Sequence, residues 1–222
     1  MGYEVRQYTP LRSLAAAREA LLERVDVVLD VGANAGQYGE LLRDRGFAGR
    51  IVSLEPVAEA YAELERRARA DGAWEAVRVA ASDVDGEITL NVTADSRSSS
   101  VLARNERFAD KAGWEPKESR RVAARRLDGL VDELLRPDER AYLKLDIQGY
   151  ERHVLDGAGD ALGRFDALEL ELSVTPLYEG QPGLAEMLPL LAERGFRPVS
   201  MEPILLDDSG LLMELDGLFA RT

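Results

Sequence analysis

Residues 26–33, Asp-Val-Val-Leu-Asp-Val-Gly-Ala, constrain the fold more than any other stretch of the chain. A short β-branched run without polar alternation reads as a strand buried on both faces. It stops at Gly32, and a helical pattern follows over 37–45. The same unit recurs twice. Residues 50–55 (Arg-Ile-Val-Ser-Leu-Glu) stop at Pro56 before a helix over 57–70, and 140–147 (Arg-Ala-Tyr-Leu-Lys-Leu-Asp-Ile) stop at Gln148-Gly149 before a helix over 150–161. Strands alternating with helices of this length predict βαβ units on a parallel sheet. Residues 75–82 and 167–173 supply two more strands, the latter alternating strictly and running into Pro176. After a helix over 183–194, residues 196–206 and 211–221 are strand-like and joined by Asp207-Asp208-Ser209-Gly210, a hairpin turn. The sheet is therefore expected to close with an antiparallel strand. An amphipathic helix over 11–24 precedes the first strand.

The stretch 83–126 breaks this rhythm. Residues 86–93 alternate like an exposed strand, and 119–126 can pair with them. Between them lies 95–118, with the run Ser98-Ser99-Ser100. Residues 95–126 hold nine basic and five acidic side chains, although the whole chain carries a net charge of −13. A long loop inside a compact domain is a candidate lid, and 95–118 is read as one. No linker interrupts the 222 residues, so 1–222 is read as one domain with 1–25 as a helical extension. With no cysteine, disulfides, thiolate metal sites and a cysteine nucleophile are excluded. The acidic balance argues against a nucleic-acid partner, whose phosphates need a basic footprint. No apolar run of the ~18 residues that span a bilayer is present, and the start lacks the apolar core of a signal peptide. A cytoplasmic protein without a membrane partner is expected.

The segment Asp30-Val31-Gly32-Ala33-Asn34-Ala35-Gly36-Gln37-Tyr38 sits where the first strand turns into its helix. Glycine there lets backbone approach a ligand, and the helix start offers free N–H groups. The pattern is Gly-x-Asn-x-Gly, one glycine short of a dinucleotide fingerprint, and it lacks the Gly-Lys-Ser/Thr of a P-loop. Glu55 closes the second strand, where an acid accepts hydrogen bonds from ribose hydroxyls. Ser82-Asp83 closes the third, within reach of an adenine. Three strand ends on one face of a sheet mark the place where open α/β sheets bind ligands.

These blocks resemble the FkbM family of S-adenosylmethionine-dependent O-methyltransferases. Asp30 to Tyr38 is similar to its cofactor loop, Leu54-Glu55-Pro56 to its ribose-binding strand end, and Ala81-Ser82-Asp83 with Asp85-Gly86 to its adenine-side turn. Lys144-Leu-Asp-Ile-Gln-Gly-Tyr-Glu151 with Val154-Leu-Asp-Gly-Ala158 carries the most specific match. Glu171-Leu-Ser173, Pro176-Leu-Tyr-Glu-Gly180 and Asp216-Gly-Leu-Phe-Ala-Arg221 follow in order. One departure is Arg126 before Leu127-Asp128, where the family has Thr. The resemblance implies a class I, Rossmann-like α/β fold with a seven-stranded, mostly parallel sheet and an antiparallel last strand. It also implies S-adenosyl-L-methionine as cofactor, held by Asp30, Gly32, Asn34, Gly36, Tyr38, Glu55, Ser82 and Asp83.

Methyl transfer to oxygen needs an in-line approach and a polarised or deprotonated hydroxyl. Asp146 and Glu171 end two strands expected to be neighbours. Two carboxylates facing one cleft suit a hard cation, so both are candidate Mg²⁺ ligands as well as catalytic residues. His153, the single histidine, is a further candidate base, although the helical wheel turns it away from the apolar stripe. The same wheel points Glu151 inward, to hold the loop at Gln148-Gly149. Lys144 shares a strand face with Asp146 as its charge partner. The expected acceptor is a small-molecule hydroxyl, a sugar ahead of a polyketide, with Tyr178 or Trp114 able to stack on a ring. A cofactor-binding module without catalysis is the rival reading, and a homodimer is left open.

Overall fold

The computed structural model describes residues 13–93, 99–108 and 116–221. In chain order the elements are α1 (Leu14–Leu22), β1 (Val27–Val31), α2 (Gln37–Asp44), β2 (Arg50–Leu54), α3 (Ala58–Ala70), β3 (Trp74–Val77), β4 (Ala80–Ser82) and β5 (Gly86–Thr93). There follow β6 (Pro116–Arg126), α4 (Leu127–Leu134), β7 (Ala141–Leu145), α5 (Glu151–Ala158), β8 (Phe165–Ser173), α6 (Leu184–Glu193), β9 (Phe196–Leu206) and β10 (Leu212–Arg221).

All five residues of β1 are buried, because β1 lies mid-sheet with helices on both faces. It pairs in parallel with β2 on one side and β7 on the other. The main sheet has the order β3-β2-β1-β7-β8-β10-β9. The last strand, β10, inserts antiparallel between β8 and β9. Successive residues of a strand face opposite layers. Val28 and Ile51 pack with Leu14, Ala17, Leu42 and Leu64 of α1–α3. Val27, Leu29 and Val52 pack with Leu130, Val154, Leu155 and Leu191 of α4–α6.

The expected strand over 75–82 divides in two. A tight turn, with Val79 N–H on Val77 C=O at 3.1 Å, ends β3. β4 then leaves the main sheet and pairs in parallel with β6, which pairs antiparallel with β5. Pairing of 86–93 with 119–126 thus forms a second, three-stranded sheet, packed through Leu90, Val92 and Val122 on Val57 and Ala60 at the start of α3. Helix α4 follows β6 directly, with no turn residue between them, and escapes a reading by pattern. Residues 1–12, and 95–98 and 109–115 of the expected lid, lie outside the described residues, as does Trp114. No helix among the described residues is long and apolar enough to cross a membrane.

One buried carboxylate ties four elements together. Glu169 of β8, 1% exposed, accepts two hydrogen bonds from the Arg18 guanidinium of α1, at 2.7 and 2.5 Å. It also accepts from Tyr38 of α2 at 2.9 Å and from Tyr142 of β7. Burial works to raise its pKa, but Arg18 and Lys144 win and hold it below the usual carboxylate value. A lowered acid stabilises the fold above its unfolded pKa and loses that contribution as pH falls through the folded one. Arg18→Met leaves Glu169 buried beside fewer donors. It is expected to cost about 3 kcal/mol, as for removal of one partner of a buried pair, read as a lower urea midpoint near pH 7. An unchanged midpoint refutes the role given to Arg18.

Candidate active site

The loop after β1 builds the first wall. Gly32, Asn34 and Gly36 have φ of 83°, 49° and 92°, so three alternate residues are left-handed. Asparagine tolerates that region better than other side chains, which accounts for the missing middle glycine. A Cβ on Gly32 would lie 2.0 Å from the carbonyl oxygen of Asp146, so only glycine lets the ends of β1 and β7 approach so closely. The left-handed turn at Asn34 presents its N–H to Glu55 Oε2 at 2.9 Å, while Val57 N–H donates to Oε1 at 2.7 Å.

A cavity of about 440 Å³ opens over these strand ends, within the range of small-ligand sites. From the β2 side of the sheet and the small sheet it is lined by Glu55, Val57, Val79, Ala81, Ile88 and Leu90, and from β1, α2, β7 and β8 by Asp30, Tyr38, Lys144, Asp146, Gln148 and Glu171. Ser99 and Val101 also line it. Of the expected lid, 116–118 belong instead to β6, and the other described part, 99–108, crosses beside the cavity. Asn91 and Ser100 exchange backbone hydrogen bonds, and Asn105 N–H and Glu179 N–H staple it to the 177–179 turn.

Asp30, Gly32, Asn34, Tyr38, Glu55, Asp146 and Glu171 therefore all reach one cavity. Gly36, Ser82, Asp83 and His153 do not. A Cβ on Gly36 would lie 3.1 Å from Leu64 and Trp74, so its place is in the packing of α2 on the core. Ser82 is fully buried, and its hydroxyl and Asp83 both hydrogen-bond Tyr150 at 3.2 Å. They touch the cavity only through Tyr150, which lines it. Arg126, the departure from the family pattern, donates to the carbonyl of Asp83 at 2.9 Å and of Gly157 at 3.3 Å, fixing that turn on α5. His153 stacks on Tyr150, ring centroids 4.2 Å apart, instead of facing the cleft. Glu151 points inward, accepting from Ile147 and Gly149 N–H at 3.2 Å each.

Pattern reading passed over Gln148. Its Nε2 donates to Glu171 Oε2 at 2.8 Å and Asp146 Oδ1 at 3.3 Å, while Lys144 Nζ stands 3.6 Å from Asp146 Oδ2. The signal available was its place beside Gly149 in the most specific block. The pair expected to hold Mg²⁺ is thus engaged by an amide and an ammonium group. Among the described residues no group of three or more His, Asp or Glu is arranged to hold a metal ion. The residues do not fit the cation, and no step is derived through one.

Burial dominates the electrostatics. It pushes Asp30 up to about 7, against Ser53 and Lys144, and Glu55 up to about 7, against its two N–H donors. Glu151 is pushed up to about 7 in the same way. Burial, with Asp146 and Glu214 nearby, holds Glu171 well above the usual carboxylate range. Burial works to lower the pKa of Lys144, but Asp146 and Glu169 raise it more, so its cation persists.

A mostly parallel sheet with an inserted antiparallel last strand, and a cavity at the switch point between β1 and β7, define a class I methyltransferase fold. The family model for the FkbM methyltransferase domain matches residues 30–198, and the chain belongs to that family. No curated protein matches it significantly. Among solved structures, an rRNA methylase from Streptococcus thermophilus is similar at 11% identity and TM-score 0.51, covering 96% of this chain and 99% of its own. The 1,6-didemethyltoxoflavin-N1-methyltransferase of Burkholderia thailandensis, with bound 1,6-didemethyltoxoflavin and S-adenosylhomocysteine, is similar at 17% identity and TM-score 0.50, covering 94% and 77%. TehB from Haemophilus influenzae is similar at 8% identity and TM-score 0.51, covering 96% and 64%. At these identities the likeness is one of fold.

Raised acids make a pH prediction. Between their ordinary pKa, about 4 to 4.5, and about 7, the unfolded chain binds fewer protons than the folded one, so stability falls as pH rises. The urea midpoint is expected to drop from pH 5 to pH 8. Glu151→Gln keeps an acceptor oxygen and cannot ionise, so its drop should be shallower. Parallel curves for the two proteins would show that Glu151 titrates as an ordinary acid.

Proposed function

We propose that the chain transfers the methyl group of S-adenosylmethionine to a hydroxyl of a small molecule, with a sugar as the acceptor class. The observation that carries this reading is a single cavity with two chemically different ends. At one, Glu55 stands beside an apolar wall with no cation against it among the described residues. At the other, Asp146, Glu171, Gln148 and Lys144 converge. Family membership supports methyl transfer. The S-adenosylhomocysteine bound to the Burkholderia structure of the same fold supports the cofactor.

The residues fit that cofactor. Each Glu55 oxygen already takes one backbone N–H and keeps a free lone pair, which suits the two ribose hydroxyls. Val57, Val79, Ile88 and Leu90 offer an apolar slot to the adenine. Asp30, Tyr38 and the turn at Gly32 to Asn34 face the amino-acid end, with Ser82 and Asp83 supporting the wall through Tyr150. When bound, S-adenosylmethionine supplies an electrophilic methyl on a sulfonium.

Asp146 is the base in this reading. Lys144 and Gln148 hold its carboxylate at the cavity edge, and the acceptor's hydroxyl proton passes to it. Glu171, whose pKa burial raises, and Gln148 hydrogen-bond further hydroxyls. Several donors and acceptors in one cleft favour a polyol, and a chain of net charge −13 favours a small acceptor over a nucleic acid. His153 stays outside the step, since its ring lies on Tyr150.

The test is transfer of labelled methyl to panels of glycans and polyketides, with glycan labelling expected and polyketide labelling alone shifting the acceptor class. Asp146→Asn should lose ~100-fold or more in turnover, the scale of lost general-base catalysis, while still binding S-adenosylhomocysteine. Wild-type turnover in that variant rejects the base. Glu55→Ala should weaken cofactor binding by about 1.5–3 kcal/mol, the worth of hydrogen bonds to a charged group. Calorimetric affinity within twofold of wild type rejects the ribose assignment. Turnover should persist in EDTA, and loss restored by Mg²⁺ would reinstate the metal.

A further inference from the structure

Gln148 has φ 55°, a left-handed conformation uncommon for a side chain of this size. Strain of this kind persists only where surrounding contacts over-determine it, and it clusters at functional sites. The contacts here are specific. The Gln148 carbonyl accepts the Ser100 hydroxyl at 2.6 Å, pinning the backbone to the segment beside the cavity. Gly149 follows at φ 95°, where a Cβ would meet the Tyr178 ring at 2.8 Å. The side chain is thereby delivered between the ends of β7 and β8.

The neighbours of the amide favour one orientation. An arginine only donates, and Arg104 donates to the Tyr178 hydroxyl at 3.3 Å with its guanidinium 5.2 Å from the ring centroid. The Tyr178 proton is then directed at Gln148 Oε1, 2.9 Å away. That leaves both Nε2 protons for Glu171 and Asp146. A flipped amide would turn its oxygen toward the two acids and lose both donations to them.

We propose that Gln148 is a positioning residue for methyl transfer, oriented through Arg104 and Tyr178 so that its amide bridges Asp146 and Glu171 and aims both at the acceptor. A neutral amide joins the two acids without adding charge, the task a divalent cation performs in a metal-assisted site. The proposal rests on the methyl-transfer reading above. Its consequence is a division of labour: Glu55 governs cofactor affinity, and the Arg104–Tyr178–Gln148 chain governs turnover.

The experiment is a double-mutant cycle of Gln148→Met and Tyr178→Phe, read by kcat, acceptor KM and S-adenosylhomocysteine affinity, together with side-chain amide NMR of the ligand-free protein. Gln148→Met should lower kcat by ~30- to 100-fold, the scale of a reacting group misplaced by about an ångström, with cofactor affinity and acceptor KM within about threefold. Tyr178→Phe should lower kcat less, and the double variant should be no slower than Gln148→Met, because groups acting as one unit are not additive. Multiplying effects, or kcat of Gln148→Met within about threefold of wild type, overturn the proposal. The NMR arm is independent of turnover. The Gln148 amide protons, assigned by their loss in Gln148→Met, should be protected from solvent exchange and lose that protection in Tyr178→Phe. Unprotected protons in the wild type overturn the bridge even if methyl is transferred. Absence of transfer by wild type to every acceptor overturns the assigned reaction instead, and the bridge is then judged on protection alone.

Discussion

The carboxylate of Glu169 is the interaction on which the rest of the arrangement leans. It is buried between α1, α2 and β7, and a charge in that position is tolerable only with dense pairing. Arg18, Tyr38 and Tyr142 supply the pairing, and each comes from a different element. Tyr38 also lines the cavity, with Lys144 5.7 Å from its ring centroid. The helix that precedes the family-matched region is thus connected by two contacts to the cavity wall. Lys144 lies between this hub and Asp146, and the acids around it hold its charge in place.

Around that hub the site is built by backbone geometry more than by side-chain reach. Alternate left-handed residues carry the β1 loop over Glu55, and Gly32 admits the carbonyl of Asp146 where any side chain would collide. On the other side of the sheet, Gly157 lets α5 come so close to β4 that a Cβ would sit 2.0 Å from the carbonyl of Ser82. Main-chain contacts of this kind leave little freedom for the strand ends to separate. Carboxyl groups held by such a frame stay where burial raises their pKa, and those of Asp30, Glu55, Glu151 and Glu171 are all so raised.

Much of this was legible in the residues. The buried runs at 26–33, 50–55 and 140–147 became β1, β2 and β7, because a strand covered on both faces is apolar along most of its length. The inward turn of Glu151 followed from the apolar stripe of its helix. The split of 75–82 was not legible, since the departure of β4 depends on β6, about 40 residues away, offering it a parallel edge. Neither was α4, which starts where β6 ends with no turn residue between them to mark it.

Local order along the chain is enough to determine the strand–turn–helix units, the acids at strand ends and the positions where backbone must turn left-handed. Those features depend on neighbours in sequence, through periodicity and steric limits on φ. Which strand ends share a cavity was decided only when the sheet assembled. That assembly placed Gln148 between two carboxylates and behind it Tyr178, 30 residues on. It turned His153 onto Tyr150 and drew Ser82 into the interior. These outcomes depend on the register between strands and the approach of helices, which are set by packing among residues far apart in the chain, where no local pattern records them.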